Sequence, residues 1–125
     1  MHKTTIDVSI ECNEWYLVSS EIVEICKTTI LTVLNSKLGT IISPSGEISI
    51  LLTTDEKMTY LNQCYRGENK PTNVLSFTNG LKTANDIPAF LGDIAIGYSI
   101  ALEESIKAGI SLTDHTRHLL IHGCL

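Results

Sequence analysis

The residues best suited to chemistry lie near the end of the sequence. His115, His118 and His122 recur at i, i+3 and i+7, so they share one face if this segment is helical. A helix that gathers imidazoles on one face is a common start for a zinc centre, and the His118/His122 spacing is the one helical zinc ligands use in HExxH enzymes. No glutamate stands between these two, so the general base of a metalloprotease is missing. The same spacing also suits a solvated or capping set of histidines. A second group, residues 65–77, carries Arg66, Lys70 and Ser76. Arginine suits bidentate recognition of phosphate, and at a helix end it equally offsets the negative end of the dipole. A third segment runs through Gly92 and Asp93. Its glycine marks either a close backbone or ligand approach at a strand start or a simple turn.

Positioning these groups falls to a mixture of strands and helices. Ile6, Val8 and Ile10 alternate with polar residues, as in a strand. A helix is predicted from about Glu21, capped by Ser20, with Ile22, Cys26, Ile30 and Val33 as its apolar stripe and Gly39 at its end. The turn Ser43-Pro44-Ser45-Gly46 separates residues 40–42 from 48–52 and predicts a hairpin whose second arm lies centrally in a sheet. Thr53 followed by Glu56 forms a capping box. The helix it opens is expected to bury Met58, Leu61 and Tyr65 and to end at Gly67. Residues 74–77 read as a short buried strand, 78–90 as a flexible loop and 91–96 as another strand. Ser99 is expected to cap a helix that Gly109 breaks, and Thr113 or Asp114 to cap the helix with the histidines. The sum is an α+β domain, a small mixed sheet of about four strands with helices packed on it.

Bulk composition narrows the function. Apolar residues make up 43% and charged residues 18% of the 125, which is the balance of one folded domain rather than a disordered chain. No apolar run approaches the roughly 18–20 residues that cross a membrane, and the N-terminus lacks the apolar stretch of a secretory signal. A cytoplasmic location and no membrane partner are therefore expected. A net charge of −5 gives no support to a sequence-independent DNA or RNA binder, although a local basic groove around Arg66 and Lys70 is compatible with it. Cys12, Cys26, Cys64 and Cys124 show no CxxC spacing and are expected to be reduced packing residues.

Three segments, in this order and at this spacing, resemble the YbeY family of bacterial endoribonucleases, the rRNA maturation factors. Tyr65-Arg66-Gly67 followed by Lys70-Pro71-Thr72-Asn73-Val74-Leu75-Ser76-Phe77 is close to the family's YRG-x-x-KPTDVLSF. Leu91-Gly92-Asp93-Ile94 is similar to its LGDI, and residues 118–125 to the start of its H-x-x-x-HG-x-LHLxGYDH. Asn73 stands where the family has aspartate and Thr78 where it has proline. The match covers residues from about Ile48 to Leu125 and is pattern-level before that.

The resemblance implies a single YbeY-like domain over residues 1–125, shortened at its C-terminus. It implies a metal-dependent, single-strand-specific endoribonuclease acting in rRNA maturation and ribosome quality control, with RNA and ribosomal components as partners and no DNA. One Zn2+ per intact member would be held by three histidines. Only His122 maps onto a ligand, and the other two would fall after Leu125. His115 and His118 take no ligand role from the family, and zinc binding by this chain is expected to be weak or to use an improvised His115/His118/His122 set. Arg66 matches the family's functionally important arginine, expected to stabilise charge on the phosphate. Lys70 and Ser76 are expected to hold the RNA backbone. Arg66 and His122 are expected to face each other across a cleft, and the shortened end to leave apolar surface exposed around Leu119 and Leu120. The alternatives are a non-catalytic ribosome-associated interaction module, an inactive gene fragment, or, from the helical histidines alone, a metal-dependent hydrolase of small molecules or peptides.

Overall fold

The computed structural model describes residues 4–37, 46–78 and 92–124. Its elements, in chain order, are β1 (Thr4–Ile10), α1 (Trp15–Val18), α2 (Ile22–Lys37), β2 (Gly46–Thr53), α3 (Asp55–Arg66), β3 (Val74–Thr78), β4 (Gly92–Gly97), α4 (Tyr98–Ala108) and α5 (Leu112–Cys124). The four strands form one sheet in the order β1-β2-β4-β3. β1, β2 and β4 are parallel, in register through Ile6, Ile48 and Gly92, and β3 runs antiparallel to β4. Parallel neighbours need a crossover; α1 and α2 supply it between β1 and β2, and α3 with β3 between β2 and β4. The α+β class with a small mixed sheet is as the sequence predicts.

Strand alternation gives the sheet two unlike faces. Ile48, Ile50 and Leu52 of β2 and Ile94 and Ile96 of β4 point to one side, where they join the apolar stripe of α2 (Ile22, Cys26, Ile30, Val33) and Leu119, Leu120 and Cys124 of α5. Trp15 is fully buried in this main core, donates from Nε1 to the Thr53 carbonyl at 3.1 Å, and meets Tyr98 edge-on at 5.3 Å. The other side holds a smaller cluster of Met58, Leu75 and Ala95, with Leu51, Leu61 and Phe77 packed against it under α3. The main core is built to the usual rule that a helix stripe and a sheet face bury each other.

Element ends follow the expected chemistry, with shifts of a residue or two. Gly67 and Gly109 close α3 and α4 in the left-handed conformation, at φ 71° and 70°, as a glycine at that position allows. The cap of α2 is Ser19, not Ser20: its Oγ accepts from the Glu21 amide at 3.0 Å. The cap of α3 is Thr54, whose Oγ1 accepts from the Lys57 amide, so the predicted Thr53–Glu56 box is displaced by one. Thr53 is still in β2, paired with Gly97, and its hydroxyl donates to Glu11. Ser99 lies inside α4; the N-cap is Gly97, and the Asp55 carboxylate of α3 accepts from the Ile100 amide at 3.2 Å. That close approach requires glycine at 97, because a Cβ there would lie 2.8 Å from Met58 and 2.9 Å from Asp55. The helix with the histidines is capped by Ser111, not by Thr113 or Asp114. Gly39, the turn at 43–45 with its first arm at 40–42, and the loop at 79–90 lie outside the described residues.

Candidate active site

The end of α5 is seated directly on strand β3. Ser76 Oγ donates to the Gly123 carbonyl at 2.7 Å. Gly123 packs so tightly that a Cβ would stand 2.9 Å from Ser76 Oγ and 3.3 Å from Ile94. His122 precedes it on the last turn and is exposed, while Cys124 beyond it is buried, which pushes its thiol up to about 11. Ser76 and His122 are thus brought together. The single proton of Ser76 is committed to Gly123, so its hydroxyl holds the helix end rather than donating to a phosphate.

The start of α5 is held differently. His115 Nε2 lies 2.9 Å from Glu104 Oε1 on α4, with the imidazole half-buried. Asn73, just before β3, donates from Nδ2 to both Glu104 oxygens at 3.0 and 3.2 Å and accepts from the Val74 amide on Oδ1. Partial burial would raise the pKa of Glu104, but the bonds from His115 and Asn73, with the positive charge of Lys107, outweigh it and hold the carboxyl below its ordinary value. An aspartate at 73, usual in the resembling family, would set a second carboxylate against Glu104; asparagine supplies a donor instead.

This geometry overturns the improvised metal set. His115 is turned to Glu104, whereas His118 and His122 are exposed. Spacing of i and i+7 also spreads the imidazoles over about 10 Å of helix at 1.5 Å per residue. Among the described residues no three His, Cys, Asp or Glu side chains gather as a metal site, so the donors present do not fit zinc by themselves. The expected exposed surface at Leu119 and Leu120 is also corrected. Both are buried, at 5% and 0% exposure, because they face the sheet and α2; Ile121 is the exposed one at 38%.

Arg66 ends α3 and is exposed, with no ion pair or side-chain hydrogen bond among the described residues. Lys70 lies in the loop that follows, with a long 3.8 Å contact to Glu68 in which both side chains are more than half exposed. That loop is pinned from below: buried Asn62 donates from Nδ2 to the Lys70 carbonyl at 2.9 Å. Tyr65, expected to be buried, is 66% exposed and lies against Phe77 with ring centroids 4.4 Å apart.

Arg66 and His122 do not face each other across one cleft. α3 packs on the face of Met58 and Leu75, and α5 on the face of Ile94 and Ile96. Their common neighbour is β3, the edge strand, which meets α3 through Phe77 and α5 through Ser76. Sequence reasoning missed Glu104, which ties Asn73 to His115, and Asn62, which pins the loop at Lys70; no motif in the sequence signals either.

The family model for endoribonuclease YbeY matches residues 9–125. Similar proteins include the endoribonuclease YbeY of Methylocella silvestris, 37% identical over 98% of this chain and 68% of that protein, and that of Bartonella quintana, 37% identical over 97% and 75%. The endoribonuclease YbeY of Pseudoalteromonas translucida is 44% identical over 64% of this chain and 52% of its own length. The solution structure of TM1509 from Thermotoga maritima shares the fold, with a TM-score of 0.62, 21% identity, and coverage of 95% of this chain and 69% of that one. The chain belongs to the YbeY family. It spans between 52% and 75% of the length of these three relatives. Among the described residues no helix is long and apolar enough to cross a membrane.

Proposed function

We propose that the protein is a metal-dependent endoribonuclease that cleaves single-stranded RNA in ribosomal RNA maturation and ribosome quality control, in the cytoplasm and in contact with ribosomal components. The observation that carries this reading is the Ser76–Gly123 hydrogen bond. It joins two pieces of the family signature that are 47 residues apart and sets the last turn of α5, with His122, beside β3. Arg66 stabilises charge building on a phosphate. Lys70 holds the RNA backbone, and exchanging its weak exposed pair with Glu68 for a phosphate costs little. His122 would supply one imidazole to a metal, whose further ligands would come from outside the described residues.

The test is cleavage of a single-stranded ribosomal RNA fragment by the purified protein, with and without added zinc. Zinc-dependent cleavage, reduced about 10²- to 10³-fold by Arg66→Ala and abolished by His122→Ala, is expected. No cleavage, or cleavage indifferent to both substitutions, would overturn the reading. The donor set favours one second reading, in which residues 1–125 alone bind RNA without cutting it.

A further inference from the structure

The α3 face of the sheet carries a cavity that the reaction above does not use. It measures about 220 Å3 and is walled by Leu51, Leu61, Tyr65 and Phe77, with Ser49 and Asp93 among its polar members. Register explains the mixture. Asp7 pairs with Ser49, Ser49 with Asp93, and Asp93 with Phe77, so one row across all four strands runs from carboxylate to aromatic ring. Phe77 covers one side of Tyr65, which still remains 66% exposed. Asp93 is exposed and, among the described residues, has no ion pair or side-chain hydrogen bond.

We propose that this cavity is a nucleobase subsite, taking one unpaired base of single-stranded RNA by stacking on Tyr65, with the base's exocyclic amine donating to Asp93. This rests on the endoribonuclease reading and adds to it where the RNA is gripped. Aromatic walls recognise any base through its π-face. The Asp93 carboxylate in the wall, with Asp7 further along the same row, repels phosphate, so the base enters and the backbone stays outside, at exposed Arg66 next to Tyr65, which has no ion pair among the described residues. Uracil, which has no exocyclic amine, is the base the subsite holds least well.

The experiment measures the affinity of the full chain for fluorescent RNA hexamers: oligo-A, oligo-C, oligo-U and an abasic ribose-phosphate hexamer. Tyr65→Ala weakens the base-bearing hexamers by roughly 5- to 150-fold and leaves the abasic one unchanged; Tyr65→Phe keeps wild-type affinity. Asp93→Asn reduces the advantage of oligo-A and oligo-C over oligo-U. Equal binding by Tyr65→Ala, an equal loss for the abasic hexamer, or no RNA binding at all would overturn the subsite. If cleavage persists and still needs Arg66 while Tyr65→Ala binds normally, the subsite falls and the endoribonuclease reading stands. Stacking-dependent binding without any cleavage would have the reverse meaning.

Discussion

The two faces of the sheet are built for different work. The α2/α5 face is thick and apolar, with Trp15, Ile50, Leu52, Ile96 and Leu120 shut away from solvent. The α3 face carries a small cluster and then gives way to Ser49, Asp93 and Asp7. One face holds the fold together and the other leaves sheet surface within reach of a ligand. β3 belongs to both, which is why the signature segment that contains it can serve the helix end through Ser76 and the aromatic pair through Phe77.

The sharpest way to break this contrast is to delete one aromatic from each face. Trp15→Ala should lower stability by about 3–5 kcal/mol, read by urea unfolding, because it empties the main core and removes the bond to the Thr53 carbonyl. Tyr65→Ala removes a ring of comparable bulk but should cost only about 1 kcal/mol or less, the scale of an exposed aromatic pair. Equal losses would erase the distinction between the faces.

A smaller effect tests the seam at β3. Gly123→Ala should destabilise by about 1–3 kcal/mol through overpacking against Ser76 and Ile94. Ser76→Ala should cost roughly 1 kcal/mol through the lost bond to Gly123. Thermal melts would check both, and unchanged melting by either would show that the end of α5 is not seated as described.

The smallest effect is one of pH. Glu104 has a folded-state pKa below its ordinary 4.5. Its contribution is therefore present above that value and lost as pH falls through the lower folded value. Glu104→Gln should flatten the acid limb of the stability profile below about pH 4.5 and change little near neutrality. An unchanged acid limb would mean that the Asn73–Glu104–His115 tie contributes nothing.

Much of the fold was legible because its signals are local. Gly67 and Gly109 stop their helices, and the stripe of Ile22, Cys26, Ile30 and Val33 is buried as its spacing requires. Caps slipped where adjacent hydroxyls compete, as at Ser19-Ser20 and Thr53-Thr54. Strand pairing makes the choice at 53, and no residue at that position announces it. Tyr65 was misassigned because i, i+4 spacing from Leu61 marks a shared helix face but not where the sheet beneath it ends. The residues proposed for the site stand in the signature segments that the family model spans. Which face a helix covers is a long-range property, and α3, which ends at Arg66, and α5, which carries His122, pack on opposite faces of the sheet.

The claim on which the rest depends is that RNA contacts both the end of α3 at Arg66 and the end of α5 at His122. The direct measurement is photo-crosslinking of a 4-thiouridine single-stranded RNA to the protein, followed by peptide mapping. The account predicts adducts on the segment carrying Tyr65, Arg66 and Lys70 and also on the segment carrying His118 and His122. Adducts confined to one of these segments, or found on α1 and α2 instead, would contradict it.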